Sequence, residues 1–236
     1  LHFARTPSLS PRECLERLRS ILSPHEIARG ERIRRDSAAR SFFVAHALLR
    51  SVLARELSTT PAALGFASDD FGKPLIVTNG ATHVPEFSLT HTDGIVACIV
   101  ATDRRVGVDA EPIDARDGIA EMIDRVLSRA ERAALSTLDT NARGARLVEI
   151  WTIKEAYAKA LGKGLSIPFP MIEVAFDRTR AIAVETSEDI DRDPTAWRFQ
   201  TFTPTREHVV STAVENVAND EADVVFEEHE FPFIGA

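Results

Sequence analysis

Two acidic residues separated by a single position stand in a short apolar run of this chain. They are Asp109 and Glu111, in the segment Gly107-Val108-Asp109-Ala110-Glu111. Side chains alternate along a β-strand, so both carboxylates would face one side while the apolar residues face the other. Carboxylate oxygens placed in this way suit a hard divalent cation such as Mg²⁺. Taken alone, the pair indicates either a metal site or a solvated strand edge.

A second group of charged residues lies on a helical pattern that runs from Arg146 to Leu161 and stops at the following glycines. Glu155 and Lys159 are one helical turn apart, on the face opposite the apolar stripe, which could make them an ordinary surface ion pair. Lys154 falls at the edge of the stripe. A lysine in that position needs either an anionic partner or a path for its ammonium to water.

Two further cations stand beside predicted turns. His91 lies at the tip of a hairpin, because the strand patterns Phe87–Leu89 and Ile95–Val100 flank the turn Thr92-Asp93-Gly94. This histidine could donate to a phosphate or simply occupy the turn. Lys73, in Gly72-Lys73-Pro74, precedes the apolar strand pattern Leu75-Ile76-Val77. Neither position is informative on its own.

The elements that carry these residues occur in the same order twice. Each half of the chain has a long helix, a glycine-containing loop, a strand and a final hairpin, and the two long helices are predicted at Phe42–Leu53 and Ile150–Leu161. Ser10, with Glu13 three residues later, predicts the start of an earlier helix. The pattern predicts an α+β protein of two similar α/β halves, residues 1–103 and 104–236, in a pseudo-two-fold arrangement with a ligand cleft between them. A single mixed domain without internal symmetry is the alternative.

The composition narrows the classes of function. The chain has 236 residues, 44% of them hydrophobic, and a net charge of −8, which argues against broad nucleic-acid binding. No apolar run approaches the roughly 20 residues of a membrane span, and no signal-peptide pattern is present. The first residue is Leu1 rather than Met, so we expect a short N-terminal piece to be missing. The only cysteines, Cys14 and Cys98, fit buried thiols and a cytoplasmic location.

Taken in order, the motifs resemble those of the Sfp-type 4′-phosphopantetheinyl transferases. The resemblance extends from Ser23 to Phe176 and rests on the blocks G-K-P, F-S-L-T-H-T, G-V-D-A-E and W-T-I-K-E-A-Y-A-K-A-L-G-K-G-L. Several blocks in the right order at compatible spacing are far less expected by chance than any one of them. The resemblance therefore favours the functional interpretation of each motif over the structural one.

The resemblance implies roles for the acidic residues of the second half. Asp109 and Glu111 would hold Mg²⁺, with Mn²⁺ equally suited to oxygen ligands. Glu155 would be a third metal ligand, a general base, or both in turn. Glu131 matches a further acidic position whose role is left open.

It also implies contacts with coenzyme A. Lys154 and Lys159 would bind its phosphates, and Lys159, near the pyrophosphate, would assist catalysis. Thr90 and His91 would contact the 3′-phosphate, with help from Lys73 and from Arg40, at the start of the first long helix. The family usually has serine where this chain has Thr90, which retains the hydroxyl.

The implied activity is transfer of the 4′-phosphopantetheine moiety of coenzyme A to a serine of an apo acyl or peptidyl carrier protein. Coenzyme A would lie in the cleft of a monomer, and neither nucleic acid nor membrane would be a partner.

Carrier proteins are usually acidic, so docking needs a local basic surface, for which Arg125, Arg129 and Arg132 are candidates. The pathway stays open among fatty-acid, polyketide, nonribosomal-peptide and siderophore synthesis. Two alternatives remain: a non-catalytic module that binds coenzyme A or a carrier, and another Mg²⁺-dependent enzyme acting on a nucleotide pyrophosphate.

Overall fold

The computed structural model describes residues 1–69, 71–77, 84–115, 123–217 and 224–233. The chain forms two compact units, one of Leu1–Asp103 with Asp223–Ala236 and one of Arg104–Ala222. The sequence analysis assigned the whole of 104–236 to the second half. The C-terminal segment instead returns to the first unit, because its strand pairs with the strand at the N-terminus.

The first unit packs three helices and two small sheets around an apolar core. Its elements are β1 His2–Arg5, α1 Pro11–Leu18, α2 Pro24–Gly30, α3 Asp36–Glu56, β2 Gly65–Ser68, β3 Pro74–Val77, β4 Glu86–His91, β5 Ile95–Ala101 and β11 Glu227–His229. The main sheet has the strand order β11-β1-β5-β4, and β2 pairs with β3. The predicted β4–β5 hairpin is confirmed, with His91 opposite Val96 at its end. The core lies between this sheet and α3.

Two helices of the first unit begin with reciprocal caps. The Ser10 side chain accepts a hydrogen bond from the backbone N–H of Glu13, whose carboxylate accepts one from the Ser10 N–H, which confirms the predicted start of α1. Ser23 and Glu26 repeat the arrangement at α2. In each helix, proline follows the capping serine, where its missing N–H costs no helical hydrogen bond.

The pairing of the two terminal strands was not predicted. β11 runs parallel to β1, with His2 opposite Glu227 and Ala4 opposite His229. Strands of three or four residues with polar side chains carry too little alternation to be recognised in a sequence. Burial lowers the pKa of His2 to about 4, so its imidazole is neutral near pH 7.

The second unit has one long helix packed on a three-stranded antiparallel sheet. Its elements are β6 Val106–Pro112, α4 Ile123–Val126, α5 Arg129–Ser136, α6 Thr140–Ala160, β7 Ile172–Phe176, β8 Ile182–Thr186, β9 Trp197–Thr205 and β10 His208–Glu215. The sheet order is β6-β10-β9, and β7 pairs with β8. Residues 116–122, which precede α4, lie outside the described part of the chain.

The long helix of the second unit begins earlier than predicted. α6 starts at Thr140 rather than Arg146, because the Asp139 carboxylate accepts hydrogen bonds from the N–H groups of Asn141 and Ala142. α3 and α6 both have 21 residues, and each packs against antiparallel strands of its own unit. The α+β fold class is thus confirmed.

Both cysteines are buried free thiols, as expected. Of the helices in the described segments, none combines the length and apolarity that a membrane crossing requires.

Candidate functional site

The helix and the sheet of the second unit approach each other closely at Gly107. A Cβ atom on this glycine would lie 1.9 Å from the backbone oxygen of Ala156 and 2.8 Å from the nitrogen of Ala160. The backbone of α6 therefore rests directly on β6, which only glycine permits. Because the helix lies so close, side chains of α6 next to the contact reach the carboxylates of the strand.

Asp109 and Lys159 form the central ion pair of this contact. The Lys159 Nζ donates to Asp109 Oδ1 at 2.6 Å and to the Val108 carbonyl oxygen at 3.2 Å. The Asp109 side chain is 7% exposed and that of Lys159 is 30% exposed. An ammonium has three N–H donors and these bonds use two of them. Lys159 can therefore neutralise Asp109 and still reach a group in solvent.

Glu111 lies two residues further along β6 and accepts a hydrogen bond from the Trp151 indole Nε1 at 3.2 Å. Burial, followed by the negative charge of Asp109, raises the pKa of Glu111 to about 7. The indole bond and Lys159 act in the opposite direction. Trp151 also packs edge-on against Phe169, so its N–H is held in place by the core.

Glu155 is the third carboxyl group at this contact. Burial, and then the charges of Asp109 and Glu111, raise its pKa to about 7, while Lys159 lowers it. Asp109 thus acts electrostatically on both Glu111 and Glu155. The structure brings together Asp109, Glu111, Glu155 and Lys159, the four residues of the second unit to which the resemblance gave metal-binding or catalytic roles.

The donor chemistry of this group fits a hard divalent cation. Three carboxyl groups share one ammonium. Burial, and then the negative charge of neighbouring carboxylates, raise the pKa of Glu111 and Glu155, and a bound cation would offset both effects. Without a cation, the ligand oxygens of the three carboxyl groups do not all lie within 4.8 Å of one another. Among the described residues, the one group of potential metal ligands that meets this distance is in the first unit. Lys159 Nζ instead bonds Asp109.

A hydroxyl network behind Asp109 fixes the sheet against the helix. Thr152 Oγ1 on α6 lies 2.7 Å from Ser211 Oγ on β10, and Ser211 Oγ lies 2.9 Å from Thr201 Oγ1 on β9. Ser211 is directly opposite Asp109 in the β6–β10 pairing. The three hydroxyl groups therefore join α6 to β10 and β9 beside the acidic group.

The structure corrects the predicted role of Lys154. Its side chain is fully buried, and its Nζ donates to Glu131 Oε2 at 2.7 Å, to the Val126 carbonyl at 2.8 Å and to the Phe169 carbonyl at 3.0 Å. All three ammonium protons are used inside the core. Lys154 therefore holds α6 to neighbouring elements and is not placed to bind a phosphate.

The same contacts give Glu131 a role that the sequence left open. Besides Lys154, its carboxylate accepts hydrogen bonds from the backbone N–H groups of Ser128, at 2.6 Å, and Val174, at 2.8 Å. Glu131 completes the cap of α5 with Ser128 and joins that helix to β7. Glu131 therefore has a structural role, since its carboxylate is bonded to groups of three elements inside the core.

In the first unit, the start of α3 lies against the end of β4. Arg40 Nη2 lies 3.4 Å from Asp93 Oδ1, and the Ser41 hydroxyl donates to the Thr92 carbonyl at 2.8 Å. The Phe42 ring meets the His91 ring edge-on at 6.2 Å. Arg40 and His91, with Thr90 preceding it on β4, are thus placed at one end of the hairpin. Thr90 is buried and His91 is exposed.

Lys73 is not gathered with that group. Its Nζ donates to Glu86 Oε2 at 2.8 Å, and Glu86 begins β4 while His91 ends it. Five residues of strand span roughly 17 Å. The predicted phosphate-binding cations of the first unit therefore lie at two opposite ends of β4.

Two residues of the site escaped the sequence analysis. Gly107 was recognised as part of a motif, but its close contact with Ala156 depends on which helix covers the strand. Trp151 was part of the quoted helix block, and its hydrogen bond to Glu111 depends on the same packing. A glycine inside an apolar strand is a signal of close backbone approach that could have been used.

Comparison with known proteins agrees with the motifs. Residues 105–213 match the model of the 4′-phosphopantetheinyl transferase superfamily. The chain is 28% identical over 214 residues, 91% of this chain and 87% of the relative, to the 4′-phosphopantetheinyl transferase HetI of Nostoc sp.. It is 26% identical over 173 residues, 72% of this chain and 73% of the relative, to the 4′-phosphopantetheinyl transferase Sfp of Bacillus subtilis.

A solved structure is similar over part of the chain. It is a holo-(acyl-carrier-protein) synthase from Bacillus anthracis in complex with coenzyme A (3′,5′-ADP), with 23% identity and a TM-score of 0.39. The similarity covers 48% of this chain and 96% of that one. The sequence relatives are the informative matches: the chain is similar to 4′-phosphopantetheinyl transferases over most of its length, in agreement with its motifs.

Proposed function

We propose that this chain is a 4′-phosphopantetheinyl transferase that moves the phosphopantetheine arm of coenzyme A onto a serine of an apo carrier protein. The observation that carries the proposal is the ion pair of Asp109 and Lys159 beside Glu155. It lies within the region that matches the superfamily. A pure binding module has no use for a carboxyl group poised near pH 7 next to a buried acidic pair.

Asp109 and Glu111 are the proposed metal ligands, with Glu155 completing the set. When bound, Mg²⁺ or Mn²⁺ supplies positive charge that stabilises the pyrophosphate oxygens during the transfer. The chain's own contribution is to present carboxyl groups from a rigid strand and a rigid helix. Their positions are maintained by the contact at Gly107 and by the hydroxyl network through Ser211.

Glu155 is the proposed general base. The serine hydroxyl oxygen of the carrier attacks the β-phosphorus of coenzyme A, and the bond from that phosphorus to the bridging oxygen breaks. The serine proton passes to the Glu155 carboxylate, directly or through water, and 3′,5′-adenosine bisphosphate leaves. A carboxyl group with a pKa of about 7 is a stronger base than an ordinary one and suits a reaction at neutral pH.

Lys159 is proposed to bind the pyrophosphate of coenzyme A. Its ammonium is partly exposed and has a donor beyond its bonds to Asp109 and Val108. As negative charge develops on the leaving phosphate, this cation offsets it. Arg40, Thr90 and His91 are proposed to contact the 3′-phosphate, and Lys73 is a weaker candidate because of its separation from them.

The carrier is proposed to dock on a basic surface. Arg125 and Arg129 are exposed, whereas Arg132 is engaged by Asp124. An acidic carrier would be steered by the two exposed arginines, and higher salt should then weaken the encounter. We further propose a cytoplasmic monomer, in keeping with the two free thiols.

The test is intact mass spectrometry of an apo carrier incubated with the protein, coenzyme A and Mg²⁺. We expect a gain of one phosphopantetheine mass, abolished by a chelator and by Glu155→Gln. A matched control is Glu149→Gln, which changes a carboxyl group on the same helix that pairs with Arg146. Coenzyme A binding without any gain across several carriers would instead indicate the binding module. Cleavage of coenzyme A without a modified carrier would indicate a pyrophosphate hydrolase.

A further inference from the structure

Three side chains with metal-binding atoms meet on the terminal strand pair of the first unit. They are His2 on β1 and Glu227 and His229 on β11. The strands are parallel, with His2 opposite Glu227, and residues two apart on a strand point to the same face. The register therefore places all three side chains on one face of the sheet, independently of the acidic group in the second unit.

The distances between the ligand atoms match those around a small tetrahedral ion. His2 Nδ1 lies 3.0 Å from His229 Nε2 and 3.3 Å from a Glu227 oxygen, and His229 Nε2 lies 3.4 Å from the other oxygen. Two ligand atoms held 2.0–2.1 Å from a tetrahedral ion lie about 3.3–3.4 Å apart. Each of the three separations lies within a few tenths of an ångström of that spacing. Because the two imidazole nitrogens face different oxygens of Glu227, the carboxylate binds a shared ion through both oxygens or after a rotation.

The ligand types of His2, Glu227 and His229 indicate which class of metal the site would bind. Two imidazoles and one carboxylate are ligands of Zn²⁺ and neighbouring transition metals, whereas Mg²⁺ prefers oxygen ligands alone. The His2 and His229 side chains are only 13% and 12% exposed, so the nitrogens are shielded while the carboxylate, at 42%, leaves a side open to solvent. Three protein ligands and an open fourth position are compatible with water as the remaining ligand.

Arg55 orients the carboxylate from behind. Its Nη1 and Nη2 donate to the two Glu227 oxygens at 2.9 and 3.0 Å. A carboxylate has about four lone-pair sites, so this bidentate bond leaves sites for a metal. Second-layer hydrogen bonds of this kind are a regular feature of metal sites in proteins. Arg55 also adds a positive charge, which lowers the affinity expected for a cation.

We propose that His2, Glu227 and His229 form a binding site for Zn²⁺ or a similar divalent transition metal, separate from the proposed catalytic cation. The ion would join the C-terminal strand β11 to β1. Because those strands come from opposite ends of the chain, occupancy should favour the paired state and raise the unfolding temperature. The inference concerns a different unit and a different ligand chemistry from the proposed transferase site, so each can fail without the other.

The experiment is calorimetric titration of the untagged, metal-free chain with Zn²⁺ in excess Mg²⁺, which occupies the carboxylate site. We expect one zinc ion to bind with a rise in unfolding temperature. His2→Gln, His229→Gln and Glu227→Gln should each weaken binding by at least about 10-fold. His25→Ala, which removes an exposed histidine outside the cluster, should leave binding unchanged. Co²⁺ in place of Zn²⁺ should give the visible absorption of a four-coordinate ion.

Two results would overturn the proposal. One is the absence of zinc binding by the wild-type chain under these conditions. The other is binding that persists unchanged in the three ligand variants, which circular dichroism would show to be folded. In either case the three side chains only connect the strands through hydrogen bonds. Because three separate substitutions are tested, the loss of fold in one of them does not decide the question.

Discussion

The Nζ of Lys159 lies 2.6 Å from Asp109 Oδ1, and this bond joins the helix and the strand that carry the proposed chemistry. Lys159 is 30% exposed, whereas Lys154, five residues earlier on the same helix, is completely buried. Two lysines of one motif therefore have different environments. The difference in burial determines which of them can meet a phosphate.

Replacing Lys159 should mainly weaken coenzyme A binding. In Lys159→Ala the ammonium that faces the pyrophosphate is lost, and we expect a rise of about 10-fold or more in the dissociation constant, measured by calorimetry. Lys163→Ala is the control, because that lysine, close to the helix end, donates to the Ile190 carbonyl and not to the acidic group. An unchanged affinity in the Lys159 variant would remove this residue from the proposed phosphate site.

Replacing the acidic residues should reduce turnover with little effect on folding. We expect Asp109→Ala and Glu155→Gln each to lower kcat by at least about 100-fold, as for the loss of a metal ligand or a general base. Mass spectrometry of the carrier gives the rate, and circular dichroism shows whether the fold is intact. Turnover near the wild-type rate in either folded variant would contradict the assigned roles.

Lys154 should prove essential for stability and dispensable for coenzyme A. Lys154→Met leaves Glu131 charged and without its buried cation, which should cost about 3–5 kcal/mol in the free energy of unfolding. Adding Glu131→Gln should restore part of that loss, as a double-mutant cycle in urea would show. At a temperature where the variant is folded, the KM for coenzyme A should be unchanged. If Lys154→Met instead had normal stability and a much higher KM for coenzyme A, Lys154 would be a phosphate-binding residue after all.

The sequence was sufficient to predict features that depend on local order. The cap at Ser10 and the β4–β5 hairpin were predicted from spacing. The motifs assigned Asp109 and Lys159 to one site, but not the bond between them. The burial of Lys154 was not, because a position at the edge of an apolar stripe leaves open whether a carboxylate from another helix covers it. Glu131 is 23 residues away, and only the packed structure joins them.

The pairing of the terminal strands could not be predicted either, because its partners are even further apart in the sequence. His2 and Glu227 are partners from opposite ends of the chain, and neither strand has more than four residues. Such short strands are stabilised by their neighbours in the sheet rather than by their own pattern, so a boundary drawn from sequence misplaced the C-terminal segment.

Adding one methyl group at Gly107 should separate helix and sheet. In Gly107→Ala the new Cβ would lie 1.9 Å from a backbone oxygen of α6, which cannot move as a flexible side chain would. We expect the free energy of unfolding to fall by about 1–3 kcal/mol or more, and turnover to fall with it. Gly65→Ala is the control, because its Cβ would meet Val77 at an ordinary 3.4 Å. Equal stability of the two variants would disprove the close contact.

The last prediction concerns acid stability in the first unit, where Glu26 of α2 meets α3. Burial alone would raise the pKa of Glu26, but His46, Ser23 and Arg50 hydrogen-bond the carboxylate and lower it to about 2. The Arg50 Nε lies 2.7 Å from the carboxylate oxygen, and both side chains are buried.

A carboxyl group with a lowered pKa stabilises the fold above its unfolded value of 4.5, and this contribution is lost as the pH falls from 4.5 towards 2. We therefore expect Glu26→Gln to be clearly less stable than wild type at pH 7, with the difference shrinking steadily below pH 4.5. Urea unfolding at pH 7, 5, 4 and 3 measures it. The exposed Glu16, changed to Gln, should show little difference at any of these values, since its partner Arg12 is also exposed. If the difference in the free energy of unfolding between wild type and Glu26→Gln stayed constant with pH, the charge of Glu26 would not be what stabilises α2 against α3.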